Sequence, residues 1–209
     1  MPSWPPTSSS STGEGRYTGL VRDALAAGPP PAAGRWPGLR PAAVLVPILC
    51  GSEGERLVLT RRTDRVEYHK GQISFPGGAV DPADRDRIET ALRESREEIG
   101  LQARDVEVLG VLDEVPVTRS AFCITPVVGA IRRSPYPWVV NPVEVAEVLE
   151  VPLAWLLRPA FPRIRTLDDG HGRAVEDYVF EWGEHLIWGA TGRIVKSLLD
   201  RIRASMGSG

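Results

Sequence analysis

The hydrophobic pattern changes period several times along this 209-residue chain, and each change predicts an element. Ala42 to Leu49 (AAVLVPIL) is a continuous apolar run of strand length, which fits a strand buried on both faces. Arg56 to Thr60 (RLVLT) reads as a second strand, with the hairpin-like GSEGE between them. The basic, polar run TRRTDRVEYHKGQ follows, and Ile73 and Phe75 then resume the strand pattern. From Gly71 to Leu101 the chain reads as a short strand, a proline-glycine loop and one helix. On that helix Ile88, Ala91, Leu92, Ser95 and Ile99 share a face suited to packing on a sheet, and Gly100 ends it. Val106–Leu112 and Phe122–Ile131 are further strands. Pro126 inside the second predicts an edge strand or a bulge, because proline cannot donate to a ladder. Asn141–Leu157 reads as loop, strand and, past Val151-Pro152, a short helix. The run FPRIRTLDDGHGRAVEDYVFEW predicts a hairpin turned at Asp168-Asp169-Gly170. Ala190–Ala204 closes the chain as a helix with Ile194, Leu198, Leu199 and Ile202 on its apolar stripe.

Composition divides the chain. Residues 1–38 are rich in Ser, Pro and Gly and read as a flexible segment holding one short helix at Tyr17–Ala27. Residues 39–205 carry the alternating elements of a single mixed α/β domain, with a sheet between helices. The net charge of −2 supplies no field to draw the protein to nucleic acid. The apolar runs are too short to span a bilayer, and the N-terminus lacks a basic-then-apolar signal. The expectation is a soluble, cytoplasmic protein that binds a small molecule, not a polymer or a membrane; dimerisation is left open. Cys50 and Cys123 lie in apolar stretches without a CxxC or a neighbouring His, and read as buried thiols.

The candidate chemistry lies on the helix before Gly100. Glu94, Glu97 and Glu98 stand at i, i+3 and i+4, so three carboxylates crowd one face. Like charges this close cost stability unless cations offset them. Arg93 and Arg96 supply part, and a hard divalent ion such as Mg²⁺ or Mn²⁺ supplies more. A solvated, salt-bridged helix face would show the same pattern. The context upstream favours the metal: Gly77 and Gly78 sit where a strand must turn toward the helix, and glycine lets backbone approach a ligand closely.

Gly-Gly followed by RESREEIGL resembles the Nudix box, G-x5-E-x7-R-E-U-x-E-E-x-G-U. Gly78 takes the first glycine, Arg93 and Glu94 the RE pair, Glu97 and Glu98 the EE pair, and Gly100-Leu101 the end. The interval from Gly78 to Arg93 is one residue longer than the pattern. The first glutamate is missing, with Arg85 eight before Arg93 and Asp81 and Asp84 nearby, and Ser95 replaces a bulky apolar residue. Upstream, LTRRTDRVEYHKGQISFPGG resembles the extended motif of the coenzyme A pyrophosphatase branch. Leu59, Thr60, Arg62, Gly71, Phe75, Pro76, Gly77 and Gly78 match it, whereas Val58, Thr63 and Glu67 do not, and Glu67 stands where that motif has arginine.

The resemblance implies a Nudix α/β/α sandwich with a mixed sheet, and metal-dependent hydrolysis of a pyrophosphate linkage in coenzyme A or its derivatives. The products would be 3′,5′-ADP and 4′-phosphopantetheine. It implies metal ligation by Glu94, Glu97 and Glu98, with Arg93 orienting a glutamate. It also implies a further carboxylate, Glu144 first, then Glu147 and Glu114, as base or additional ligand. The basic cluster Arg61, Arg62, Arg65, His69 and Lys70, with Gly77 and Gly78, would take the substrate phosphates. Trp155, Trp182 and Trp188 read first as core, or as a groove for a pantetheine arm. Other outcomes are a Nudix pyrophosphatase for ADP-ribose, NADH or a dinucleoside polyphosphate, and a non-catalytic nucleotide-binding Nudix domain.

Overall fold

The computed structural model describes residues 15–27, 36–63, 71–168 and 172–207. It opens with helix α1 (Arg16–Ala27), then strands β1 (Arg40–Gly51), β2 (Gly54–Arg62), β3 (Ile73–Ser74) and β4 (Gly77–Ala79). Helix α2 (Arg87–Ile99) precedes β5 (Val106–Val111), β6 (Val115–Val117), β7 (Phe122–Ile131) and β8 (Val145–Pro152). Then come α3 (Leu153–Leu156), β9 (Arg163–Asp168), β10 (Ala174–Trp182), β11 (His185–Ile187) and α4 (Gly189–Gly207). The expected disorder of the first residues and the Pro/Gly linker fall largely outside the described residues, as does the tip of the β9–β10 hairpin.

One mixed sheet organises the domain. Its main path runs β3-β2-β1-β7-β5, with β4 beside β1, β6 beside β7 and β8 beside β2. β1 and β7 pair in parallel, and the other neighbours are antiparallel. β1 is apolar from Ala42 to Leu49 because that stretch is buried on both sides. Ala43, Leu45 and Leu49 face the core beneath α2, and Val46 and Ile48 face the core that includes α4 residues Ile194, Leu198 and Ile202. Val21 of α1 is fully buried in that second core. β9, β10 and β11 form a separate three-stranded sheet.

Two expectations are corrected. The stretch read as a proline-glycine loop contains β4, whose Gly77 and Gly78 pair with Val44 and Ala43 of β1. Glycine weakens intrinsic strand propensity, but here tertiary pairing overrides it. Pro126, expected at an edge or a bulge, lies in an inner strand of the sheet. On one side it stands opposite Val44. On the other, its neighbour changes from β5, which ends at Val111 opposite Val127, to β6, which begins at Val115 opposite Ile124. The proline ring occupies that gap, and its carbonyl accepts the Leu112 N–H at 2.9 Å. Pro47 of β1 is placed the same way, between the pairings with β4 and with β2. A missing donor is tolerated where the adjacent ladder is already interrupted.

Candidate active site

The site is built where β4, α2 and the start of β8 meet. Each glycine of the pair is approached by a different neighbour. A Cβ on Gly77 would sit 2.4 Å from the Ala43 carbonyl oxygen, so only glycine allows this approach to β1. A Cβ on Gly78 would sit 2.6 Å from the Glu94 carboxyl carbon, so that carboxylate lies directly against the β4 backbone.

α2 is capped at both ends. Asp86 accepts the Glu89 N–H at 2.9 Å, and Gly100 adopts φ 71° with its N–H returned to the Arg96 carbonyl. Ala91, Ser95 and Ile99 are buried against the sheet, and this rotation turns the glutamates toward β4 and β8. The last carbonyls of the helix are satisfied from the loop before β8: Asn141 N–H donates to Glu98 O at 2.8 Å and Val139 N–H to Ile99 O at 3.2 Å. That loop delivers Glu144. Thr63, just past β2, holds it from the other side, donating its N–H to Glu144 O at 2.9 Å and its hydroxyl to Val143 O at 2.7 Å. Asn141 Nδ2 donates to Glu144 Oε1 at 3.3 Å.

The carboxylates so assembled repel one another. Glu98 is nearly sealed from water, with 4% of its side chain exposed. Burial foremost pushes its pKa from 4.5 up to about 8; Glu144 and Glu94 push the same way, while Arg62 and the Gly77 N–H oppose them. Glu94 is raised as well, again by burial first, with Glu97 and Glu144 adding to it and Arg93 countering. Glu97 is half exposed at the outer edge, its Oε2 3.3 Å from Arg93 Nη1. Among the described residues no three acidic, His or Cys groups are drawn into a ready metal cage. The donor set is nonetheless one of hard carboxyl oxygens, which suits Mg²⁺ or Mn²⁺.

Arg93 has a partner the box pattern did not supply. Its Nε and Nη2 meet Asp84 Oδ1 and Oδ2 at 2.9 and 3.0 Å in a two-pronged pair, and its Nη1 donates to Glu94 Oε1 at 2.7 Å. Nη2 also reaches the Ala79 carbonyl at 3.3 Å. The guanidinium holds the Asp84 carboxyl far below the usual range, so it stays ionised. Asp84 therefore occupies the place of the absent glutamate. The signal was present: Asp84 keeps the interval from Gly78, and the extra residue falls between it and Arg93.

The structure separates residues that the sequence grouped. Arg62 turns toward Glu98, Nη1 to Oε1 at 3.9 Å. Arg61 leaves the opposite face of β2, and its Nε donates to Glu147 Oε2 at 3.2 Å. Glu147 is thereby engaged away from the Glu94–Glu98–Glu144 group. Glu114 is tied to the Cys123 thiol, which burial and this carboxylate push up to about 11. Arg65, Glu67, His69 and Lys70 lie outside the described residues. Trp155 stacks at 4.3 Å from Phe161 and 4.9 Å from Trp182, against the core. Trp188 instead lines a cleft beside Arg61.

The family model for the NUDIX domain matches residues 39–165, the stretch that carries the glycine pair and the α2 glutamates. The chain belongs to the Nudix family. It is 38% identical over 177 residues to an "Uncharacterized Nudix hydrolase NudL" of Photorhabdus laumondii, covering 84% of this chain and 91% of that one. It is 41% identical over 162 residues to the protein of that name from Yersinia enterocolitica, covering 77% and 80%. A MutT/nudix family protein of Enterococcus faecalis shares the Nudix fold at TM-score 0.50 and 15% identity, over 84% of this chain and 70% of that one. This Nudix chain is thus an enzyme of the pyrophosphohydrolase family with a mixed α/β fold. Among its described residues no helix is long and apolar enough to cross a membrane.

Proposed function

We propose that this Nudix enzyme hydrolyses the diphosphate of coenzyme A or its derivatives, water adding across the P–O–P linkage to give 3′,5′-ADP and 4′-phosphopantetheine. The observation that carries the hydrolytic part is the grouping of mutually repelling carboxylates, with Glu94 and Glu98 against the Gly77–Gly78 backbone and Glu144 close enough to raise the pKa of both. Such a cluster costs folding stability and gains a purpose when phosphate-bound cations enter it. The substrate part rests on the residues from Leu59 to Gly78 that match the coenzyme A branch.

Glu94, Glu97 and Glu98 are the residues that would hold Mg²⁺ or Mn²⁺, with Glu144 as a further ligand or as base. Bound there, the ion neutralises phosphate charge and lowers the pKa of a water. Arg93, locked by Asp84, orients the Glu94 carboxylate. Glu144, with Oε1 steadied by Asn141, offers its other oxygen to accept the proton of the attacking water. Arg62 balances charge beside Glu98, and the Gly77–Gly78 backbone lets Glu94 pack close against β4.

The test is incubation of the pure protein with coenzyme A and Mg²⁺, with products identified by mass. Release of 3′,5′-ADP supports the proposal. Its absence, with turnover of ADP-ribose, NADH or a dinucleoside polyphosphate, moves the enzyme to another nucleoside diphosphate derivative. No turnover of any of them would leave a binding domain.

A further inference from the structure

The loop before β8 buries its aromatic side chains and exposes its aliphatic ones. Tyr136 and Trp138 turn inward, their rings 4.6 Å apart; Tyr136 Oη donates to Asp105 Oδ2 and Trp138 Nε1 to Glu150 Oε1, each at 2.8 Å. Val139 and Val143 are instead 70% and 61% exposed, and Pro137, Val140 and Pro142 are exposed beside them. Among the described residues, three of the six exposed large hydrophobic side chains fall within Val139–Val143. Scattered apolar residues on a surface need no explanation, but a contiguous set of them marks an interaction site. The loop is also fixed. Val139 N–H and Asn141 N–H are bonded to the last carbonyls of α2, and Val143 N–H donates to Asn141 Oδ1 at 3.1 Å.

This surface is continuous with the carboxylate site. Val143 immediately precedes Glu144, and Asn141 joins the two regions, its N–H reaching Glu98 O at 2.8 Å and its Nδ2 reaching Glu144 Oε1 at 3.3 Å. From there the loop runs back across the end of α2 to Val139, where a Cβ on Gly100 would stand 2.9 Å from Val139 Cβ. The five residues from Glu144 to Val139 span at most about 17 Å. A flexible arm extending from a diphosphate at the glutamates meets the valines within that reach.

The chemistry of the surface selects its occupant. From Ser134 to Val143 the chain carries no charged side chain. Of the two halves of a coenzyme A derivative, the nucleotide half carries phosphate charge. The pantetheine arm beyond its phosphate is uncharged and, when acylated, ends in hydrocarbon. An aliphatic surface offers no counter-charge to phosphate but removes hydrocarbon from water. A second copy of this chain is a poorer fit, because a stable interface uses about 20–30 residues a side and five exposed positions fall far short.

We infer that the Val139–Val143 surface binds the pantetheine arm and its S-acyl chain, which makes acyl-coenzyme A, in preference to the free thiol, the substrate class. This deepens the diphosphatase reading and rests on it. The valines set specificity and do not touch the reacting phosphorus.

The test compares KM for acetyl-, butanoyl- and octanoyl-coenzyme A with Mg²⁺ in the full chain. The variants are Val139→Ser, the pair Val139→Ser with Val143→Ser, Val139→Leu, and Ile164→Ser at an equally exposed position on the separate β9–β11 sheet. In the wild type KM should fall about tenfold from acetyl to octanoyl, a fraction of what full burial of the added methylenes would give. That ratio should shrink in Val139→Ser and vanish in the pair, while Val139→Leu and Ile164→Ser retain it. Calorimetry without metal should show the same ordering for S-octanoyl-4′-phosphopantetheine against 4′-phosphopantetheine. A wild-type KM indifferent to chain length, or a preference untouched in the valine variants, overturns the surface and leaves the diphosphatase reading intact, since 3′,5′-ADP is still released. A dimer in sedimentation that Val139→Ser dissociates gives the surface to a second copy and overturns it as well. No release of 3′,5′-ADP from any of the three, with S-octanoyl-4′-phosphopantetheine still held through the valines, fails the diphosphatase reading and keeps the surface.

Discussion

Two glutamates, Glu55 and Glu98, are withdrawn from water to nearly the same degree, 8% and 3% exposed, and their surroundings are opposite. Glu55, at the start of β2, reaches the N-terminus of α1. It accepts the Tyr17 N–H at 2.8 Å, the Thr18 N–H at 2.6 Å and the Thr18 hydroxyl at 2.5 Å. The two N–H groups are orphan donors of a helix end, and a carboxylate is the acceptor they favour. Glu98 faces Glu94 and Glu144, with one arginine nitrogen at 3.9 Å. Burial with satisfied donors fastens a helix to the domain. Burial among like charges stores an unfavourable arrangement that a cation can relieve.

The sharpest way to break this contrast is Glu98→Gln. Turnover should fall roughly a thousandfold, as on removal of a principal charge-stabilising group, while the melting temperature without divalent metal holds or rises. Full turnover in this variant would remove Glu98 from the site. The pH dependence follows from the same residue. Its folded pKa, about 8, lies above the ordinary 4.5, so the stability it contributes is complete below pH 4.5 and is lost as pH rises toward 8. Melting curves of wild type minus Glu98→Gln, in chelator, should therefore become steadily less favourable to wild type across that window.

Divalent metal gives the next largest effect. At a hundredfold excess over its dissociation constant, Mg²⁺ or Mn²⁺ should stabilise the wild type by about 2.7 kcal/mol. Glu98→Gln should gain clearly less in differential scanning calorimetry, and equal gains would place the ion elsewhere. Asp84→Asn should lower kcat about 10–100-fold, in the range found for groups that orient ligands, and Asp84→Glu should restore part of it. Unchanged kinetics in Asp84→Asn would reduce the Arg93 pair to a surface contact. Smallest is Glu55→Gln, expected to cost about 1–2 kcal/mol in urea unfolding with kcat/KM unaltered well below the melting temperature. A loss of turnover there would erase the distinction between the two glutamates.

Local rules made much of this molecule legible. The apolar run at β1, the Gly100 end of α2 and the periodicity that turns Ala91, Ser95 and Ile99 inward are properties of neighbouring residues, and the structure has them as read. The short strands β4, β6 and β11 were not legible. Each has three residues and exists because a longer partner strand offers its edge. The same holds for Pro126, whose placement in an inner strand depends on where β5 ends and β6 begins.

At the site, the sequence by itself determined that Glu94, Glu97 and Glu98 share a helix face and that glycines precede them, because a helix fixes relative positions over one turn. Only the tertiary structure decided which charges meet. It placed Asp84 on Arg93, brought Glu144 to Glu94 and Glu98 through hydrogen bonds from Asn141 and Thr63, and sent Arg61 and Arg62 to opposite faces of β2. Such contacts depend on backbone hydrogen bonds between elements far apart in sequence, and no spacing rule within one segment contains them.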